Sequence, residues 1–249
     1  MKTLIAMDIG NTSIHFARYS GTKWQTPIRV STKDFKKVPE RLKSILPKDK
    51  NVCVVIASVV PNAGKYLAKV IPQKLGVETR LIGPQFPVPI KNLYKNPRQV
   101  GIDRLLNGLA AFNKVRGAVI VIDFGTAITF DVVSKKGEYL GGVIAPGIEI
   151  SLEALFQKTA LLPNIRLQHP QNLIGKDTIE SIRVGCSVGI GGLCDRVVEE
   201  IQKRYRFRAK VMATGGYAQF MSRYCKHIDA IDPHLIFKGI ELTFRYNTA

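Results

Sequence analysis

Two stretches of the chain carry the same pattern of apolar and polar positions around an acid. In the first, Leu4–Met7 is apolar, Asp8 closes the run, Gly10 and Asn11 break it, and Ser13–Tyr19 alternates. In the second, Val119–Ile122 runs into Asp123, Gly125 breaks it, and Ala127–Val133 resumes. A run, a break and a period-two segment predict a strand, a tight turn and a second strand. Asp8 and Gly10 map onto Asp123 and Gly125 at one common shift, so the acidic hairpin is built twice.

The elements downstream repeat as well. After the first hairpin the pattern predicts a third strand near Trp24–Thr32, a charged helix across Phe35–Leu46 and a buried strand over Val52–Val60. Pro61 begins a helix at its first turn, where a missing N–H costs little, and Glu78–Gly83 reads as a further strand. Gly83–Gly101 is Pro-rich and reads as an extended loop; long loops in compact domains are often functional. A helix follows Asp103. The second half offers a third strand at Glu138–Gly147, a helix from about Ile148, a long helical region over Thr178–Arg204 and a strand at Lys210–Gly216. A short helix and a last apolar segment, His234–Tyr246, close the chain. Antiparallel strands followed by alternating helix and strand, twice over, predict two similar α/β domains, a duplication rather than a solenoid. The expected break lies near Lys114–Gly117, giving halves 1–115 and 116–249.

Composition narrows the class. At 249 residues and 45% hydrophobic, the chain can bury a real core. No apolar run approaches the roughly 20 residues of a membrane span. Asp8 arrives too early for a secretory signal, so a cytoplasmic location and no membrane partner are expected. Cys53, Cys186, Cys194 and Cys225 show no C-x-x-C spacing and read as buried thiols. The net charge of +18 raises nucleic acid as a partner. Yet Lys33–Lys50 interleaves acids and reads as the solvated face of a helix. Lys203–Lys210 is denser and carries aromatics, which makes it the best candidate for a phosphate-backbone contact. Solvated surface is still the preferred reading there, and a basic surface also suits anionic substrates.

A hairpin with Asp at the strand end and Gly in the turn lets the backbone approach a ligand and aims successive N–H groups at an anion. Its Asp can hold a cation, as magnesium demands, directly or through water. One copy is as well explained by an ordinary turn. Two copies, each opening a duplicated domain, are expected to face each other across a cleft and grip a polyphosphate with its metal.

These hairpins, with the later Ala213–Gly216, resemble the superfamily of acetate and sugar kinases, actin and the heat-shock chaperone ATPases. Within it, the chain resembles type III pantothenate kinase over essentially its full length. The residues that carry the likeness are Asp8–Thr12, Tyr94–Arg104, Asp123–Ala127, Gly141–Gly147, Ile174–Ile182 and Thr214–Gly216. The resemblance implies two ribonuclease-H-like domains of the actin-like ATPase fold with a nucleotide cleft between them. Ile102 stands where alanine is commoner in the family's G-x-D-R, a tolerable change at a position that contributes only backbone.

The resemblance also implies roles, each with a plainer rival. Asp8, Ile9, Gly10, Asn11, Thr12, Ser13, Ile14 and His15 would form the first ATP-binding hairpin, with Thr126 an ATP contact in the second. Asp123 would be the ligand of a monovalent cation, potassium or ammonium; its rivals are a turn acid or a protein-kinase D-F-G. The latter fails because no H-R-D or Gly-rich loop accompanies it. Asp103 would be the general base, although its position alone suggests a helix-start acid facing the dipole. Tyr94, Gly101, Ile102, Asp103, Arg104 and Thr178 would contact pantothenate; Thr178 could instead be a helix N-cap. The small residues of Val184–Gly192 read as close helix packing, because the spacing is wrong for a dinucleotide loop.

The expected reaction is ATP-dependent phosphorylation of pantothenate to 4'-phosphopantothenate, the first step toward coenzyme A, with Mg2+ and a monovalent cation, in a homodimer joined through the second half. The alternatives are another small-molecule kinase of the superfamily, or a nucleotide-binding regulator that meets nucleic acid through its basic surface.

Overall fold

The computed structural model describes residues 2–47 and 51–249. The end of the Lys33–Lys50 basic stretch therefore lies outside the described residues. The chain divides into two compact units, Met1–Lys114 with His234–Ala249, and Val115–Pro233. The two units meet after Lys114. The last helix, however, belongs to the first unit, whereas the sequence pattern assigns it to the second half.

In the first unit β1 (Thr3–Ile9), β2 (Ser13–Arg18), β3 (Ile28–Ser31), β4 (Val52–Ser58) and β5 (Glu78–Leu81) form one sheet in the order β3-β2-β1-β4-β5. The β1–β2 and β2–β3 pairs are antiparallel; β1–β4 and β4–β5 are parallel. Helices cover both faces, so β1 and β4 are buried almost throughout, as parallel strands are. Ile5, Met7, Ile9, Val54 and Ile56 pack with Val38 and Leu42 of α1 (Val38–Leu42) and with Leu67 and Ile71 of α2 (Pro61–Leu75). On the other face Leu4, Ala6, Val55 and Ala57 pack with Leu106 of α3 (Ile102–Val115) and Phe237 and Ile240 of α8 (Leu235–Thr248). That second apolar layer explains why His234–Ala249 joins this unit: Phe237, Ile240 and Phe244 complete its core.

The Gly83–Gly101 loop holds a two-residue strand, β6 (Lys91–Asn92), and a 3-10 turn at Pro97–Gln99. Where one helix is expected over Phe35–Leu46, three short pieces stand: 3-10 turns at Thr32–Lys37 and Lys43–Ile45 flank α1. The chain leaves helical geometry at Asp34, and Pro39 enters just after it, in the first turn of α1. A proline is tolerated at such a start but cannot lie inside a continuous helix without breaking a bond.

The second unit's own strands repeat the order. β7 (Val119–Phe124), β8 (Ala127–Val133), β9 (Glu138–Pro146), β10 (Lys210–Thr214) and β11 (Ala230–Ile231) are arranged β9-β8-β7-β10-β11, with the same directions as the first sheet. Ile120, Ile122, Phe124 and Phe130 pack with α4 (Ile148–Lys158), α5 (Thr178–Val184) and α6 (Ile190–Tyr205), and α7 (Ala218–Met221) follows β10. The long helical region over Thr178–Arg204 is present, interrupted by a π turn at Gly185–Gly189. Of its small residues only Gly191 makes a tight approach: a Cβ there would fall 2.3 Å from the Tyr224 carbonyl, whereas Gly185, Gly189 and Gly192 face open space. All four cysteines are buried and free. Among the described residues no helix is long and apolar enough to cross a membrane.

Gly239 is the closest approach of α8 to α3. A Cβ there would lie 2.3 Å from the Leu106 carbonyl oxygen, a backbone atom that cannot step aside. Gly239→Ala is expected to lower stability by about 1–3 kcal/mol, the usual cost of overpacking. Urea unfolding measures it, and an unshifted midpoint would contradict the packing described.

Candidate active site

The first hairpin stands at the carboxyl end of β1, where open α/β sheets place their ligands. Asp8 pairs with Ala57 and Ile9 with Ser58 across the parallel β1–β4 ladder. The Val59 N–H extends that ladder by donating to Ile9 O at 3.0 Å. Inside the turn the Gly10 N–H donates to Ser13 O at 3.0 Å. The end of β3 then fastens it: the Thr32 N–H donates to Thr12 O at 3.0 Å, and its hydroxyl to Gly10 O at 2.7 Å. Asn11 and Thr12 are left exposed at the tip. His15 pairs with Asp8 across β1–β2, and its Nε2 lies 3.3 Å from Ser13 Oγ. Burial, and then the charge of Arg29, hold this imidazole below its ordinary range, so it is neutral near pH 7.

Asp103 occupies the first turn of α3, as its local sequence suggests. Its Oδ1 accepts from the Arg104 N–H at 2.9 Å. A Cβ on Gly101 would fall 2.4 Å from that same oxygen and 3.7 Å from Val59 Cγ1. Gly101 is therefore what makes room for the carboxylate, and it does so beside the residue that carries the bond to Ile9. The hairpin, Val59, Gly101 and Asp103 form one continuous run of contacts. Burial raises the Asp103 carboxyl above the ordinary aspartate value, opposed by the Arg104 N–H and guanidinium. Arg104 is itself buried. Tyr94 is half-buried on the preceding loop; its N–H donates to Asn92 Oδ1 at 3.0 Å, while Asn92 Nδ2 donates to Pro97 O at 3.2 Å. Those bonds fold the loop locally rather than leaving it loose.

In the second unit Asp123 pairs with Thr214 of β10 and Thr129 of β8. Three glycines crowd this turn. Gly215 has φ +91°, and a Cβ there would lie 2.4 Å from Asp123 Oδ1 and 2.7 Å from the Phe124 carbonyl. A Cβ on Gly125 would be 3.4 Å from Asp123 Oδ1, and one on Gly147 only 2.1 Å from Thr126 O. The Asp123 carboxylate, packed against Gly125 and Gly215, offers oxygen, the donor that a hard cation prefers. Among the described residues no cluster of three His, Cys, Asp or Glu side chains could hold a metal.

The two hairpins differ by one residue. Ile9 pairs with Ile14 in the first, but Phe124 with Ile128 in the second. The common shift holds through the glycine and then drops by one, which aligns exposed Thr126 with Thr12. Thr178 stands on a different element and is exposed at the start of α5. Its N-cap alternative falls, because Asp177 is the cap: Asp177 Oδ1 accepts from the Glu180 N–H at 2.8 Å. Glu180 in turn accepts from the Asn172 N–H at 3.1 Å and pins the preceding segment. The basic run Lys203–Lys210 ends α6 and turns at Arg206, with most of its cations exposed.

The sequence model of the type III pantothenate kinase family matches residues 4–200. The chain is also 37% identical to a type III pantothenate kinase of Moorella thermoacetica, over 98% of this chain and 100% of that protein. The chain belongs to the type III pantothenate kinase family. Among solved structures it is similar to a Campylobacter jejuni protein described as a Baf family transcriptional activator, with TM-score 0.62, 21% identity and 98% of each chain covered. It is also similar to the inorganic polyphosphate/ATP-glucomannokinase of an Arthrobacter strain, with TM-score 0.50, 16% identity and 99% and 98% covered. The fold is that of the actin-like ATPases and sugar kinases.

For a member of the type III pantothenate kinase family, the residues that hold the site rigid are as informative as the site itself. Thr32 and Val59 fasten the first hairpin, and nothing in the sequence marks them, since each acts through single bonds to distant backbone. Gly147 and Gly215 fall inside noticed motifs, but their reason, room for the second turn, emerges only from the packing.

Proposed function

We propose that this protein transfers the γ-phosphoryl group of ATP to the primary hydroxyl of pantothenate, giving ADP and 4'-phosphopantothenate, the first step toward coenzyme A. The observation that carries this reading is the placement of Asp103. Its carboxylate is seated over Gly101, raised in pKa by burial, and connected through Val59 to the phosphate-type hairpin, in a chain of this family.

In phosphoryl transfer the protein mainly positions groups and balances charge. Asp103 accepts the hydroxyl proton as the substrate oxygen bonds to the γ-phosphorus and the bond to the bridging oxygen of ADP breaks. The backbone N–H groups at the exposed tip, Asn11 and Thr12, meet the phosphates, with Asp8 and His15 beneath them and Thr126 as a further ATP contact. Tyr94, Gly101, Ile102, Arg104 and Thr178 hold pantothenate, whose carboxylate Arg104 can meet bidentately. Magnesium bound through Asp8 and the phosphates, and potassium or ammonium at Asp123, would supply positive charge to the transferring group. Release of ADP only when pantothenate is present tests the reading. Turnover of a sugar instead would move the chain to another small-molecule kinase.

We also propose a homodimer formed through the second unit. Leu161 is 90% and Ile174 79% exposed, and Ile144, Phe156 and Leu173 stand open as well. These exposed apolar side chains, all in the second unit, support an interface there.

Three outcomes are expected. Asp103→Asn keeps shape and can still accept the Arg104 N–H but loses basicity, so turnover should fall by roughly 10²–10⁴-fold with the melting temperature nearly unchanged. Because the carboxylate is the active form, wild-type turnover should decline as the pH falls through a value above 3.8, and the variant should lose that limb. A variant with more than about a tenth of wild-type turnover would leave Asp103 as a structural acid in the first turn of α3. Wild-type rates should be higher in potassium or ammonium than in sodium at equal ionic strength, and Gly215→Ala, by displacing Asp123, should abolish the preference. Equal wild-type rates would remove Asp123 from that role. Light scattering at micromolar concentration should give twice the chain mass of 27.6 kDa; the single-chain mass would refute the dimer.

A further inference from the structure

We infer that Arg29 is a phosphate-binding residue of the first hairpin and supplies the cationic arm that holds the outer phosphates of the nucleotide; this rests on the kinase reading above. Asp8 pairs with His15, and His15 pairs with Arg29. The three form one row across β1, β2 and β3. Directly opposed residues share a face, and Asp8 lies in alternation with Leu4 and Ala6, on the face packed by α3 and α8. Arg29 therefore emerges level with Asp8, on the side of the sheet where α3 presents Asp103.

The edge strand that carries Arg29 does not drift, because Thr32, three residues on, is bonded to both Gly10 and Thr12. Arg29 is exposed, and its side chain forms no hydrogen bond or ion pair among the described residues. It is close enough for its charge to bear on His15. The hairpin itself supplies N–H groups, a hydroxyl or two and a neutral imidazole, but Asp8–His15 contains no Lys or Arg, and Asp8 adds a negative charge. A polyphosphate placed there needs a fixed cation. A guanidinium with no structural partner, anchored one strand away, is suited to it, since its fork matches phosphate oxygens bidentately.

The test compares binding of Mg-ATP and AMP by calorimetry, and KM for ATP and pantothenate, in wild type, Arg29→Ala and Arg29→Lys. Arg29→Ala should weaken ATP by about 10- to 100-fold, the usual worth of a hydrogen bond to a charged group. AMP binding, KM for pantothenate and the melting temperature should stay near wild type. Arg29→Lys, which keeps the charge but not the fork, should fall between. Unchanged ATP affinity in Arg29→Ala, or equal losses for ATP and AMP, would overturn the inference. A wild type that binds ATP but never phosphorylates pantothenate would sink the substrate assignment while leaving the Arg29 comparison intact.

Discussion

The parallel pairing of β1 with β4 is the constraint from which the first site follows. With helices on both faces, neither strand has a free surface, and a ligand can meet this sheet only where the strands run out. Asp8 lies one residue before that end, too late in the strand to be covered and too early to be mobile. The bond from Val59 to Ile9 carries the ladder one step past the last strand residue and brings the chain after β4 beside the turn. Gly101 packs on Val59, and Asp103 packs over Gly101. A residue some 90 positions from the hairpin in sequence is thus fixed relative to it by backbone, with little freedom in side-chain rotamers.

Glycine is the means by which carboxylates come close to main chain at both acids. Gly101 yields its side-chain space to Asp103, and Gly215 yields its space to Asp123. The positions differ in kind. Gly215 is at φ +91°, so a side chain there meets backbone strain as well as a clash. Gly101 carries no such angle, and its requirement is purely steric. At Asp103 burial outweighs the Arg104 N–H and guanidinium and raises the carboxyl.

Much of this was legible in the sequence. The repeated acid, glycine and alternating run located both hairpins, and Pro61 and the Ile102–Val115 periodicity located two of the helices that flank the first sheet. What stayed hidden has common causes. Phe35–Leu46 has helical composition, but Pro39 and the break at Asp34 divide it. The ownership of His234–Ala249 depends on which sheet face lacks a cover, a tertiary fact with no local signature. Thr178 carries a hydroxyl of the kind that caps helices, yet Asp177 one residue earlier takes that position. Thr32 was invisible for a related reason: a threonine at the end of an edge strand announces nothing until its hydroxyl is seen on Gly10.

Duplication produced two turns of one design that have since diverged in what they offer. The first keeps an extra residue, so Ile9 closes on Ile14 and the tip presents Asn11 and Thr12 with their amides, tied down by Thr32. The second is shorter, closes Phe124 on Ile128, and is packed by Gly147 against its backbone and by Gly215 against its acid. Amides at an exposed tip suit an anion, whereas a carboxylate closely packed against glycine suits a cation. One residue of length, with the neighbours that length admits, is enough to separate the two.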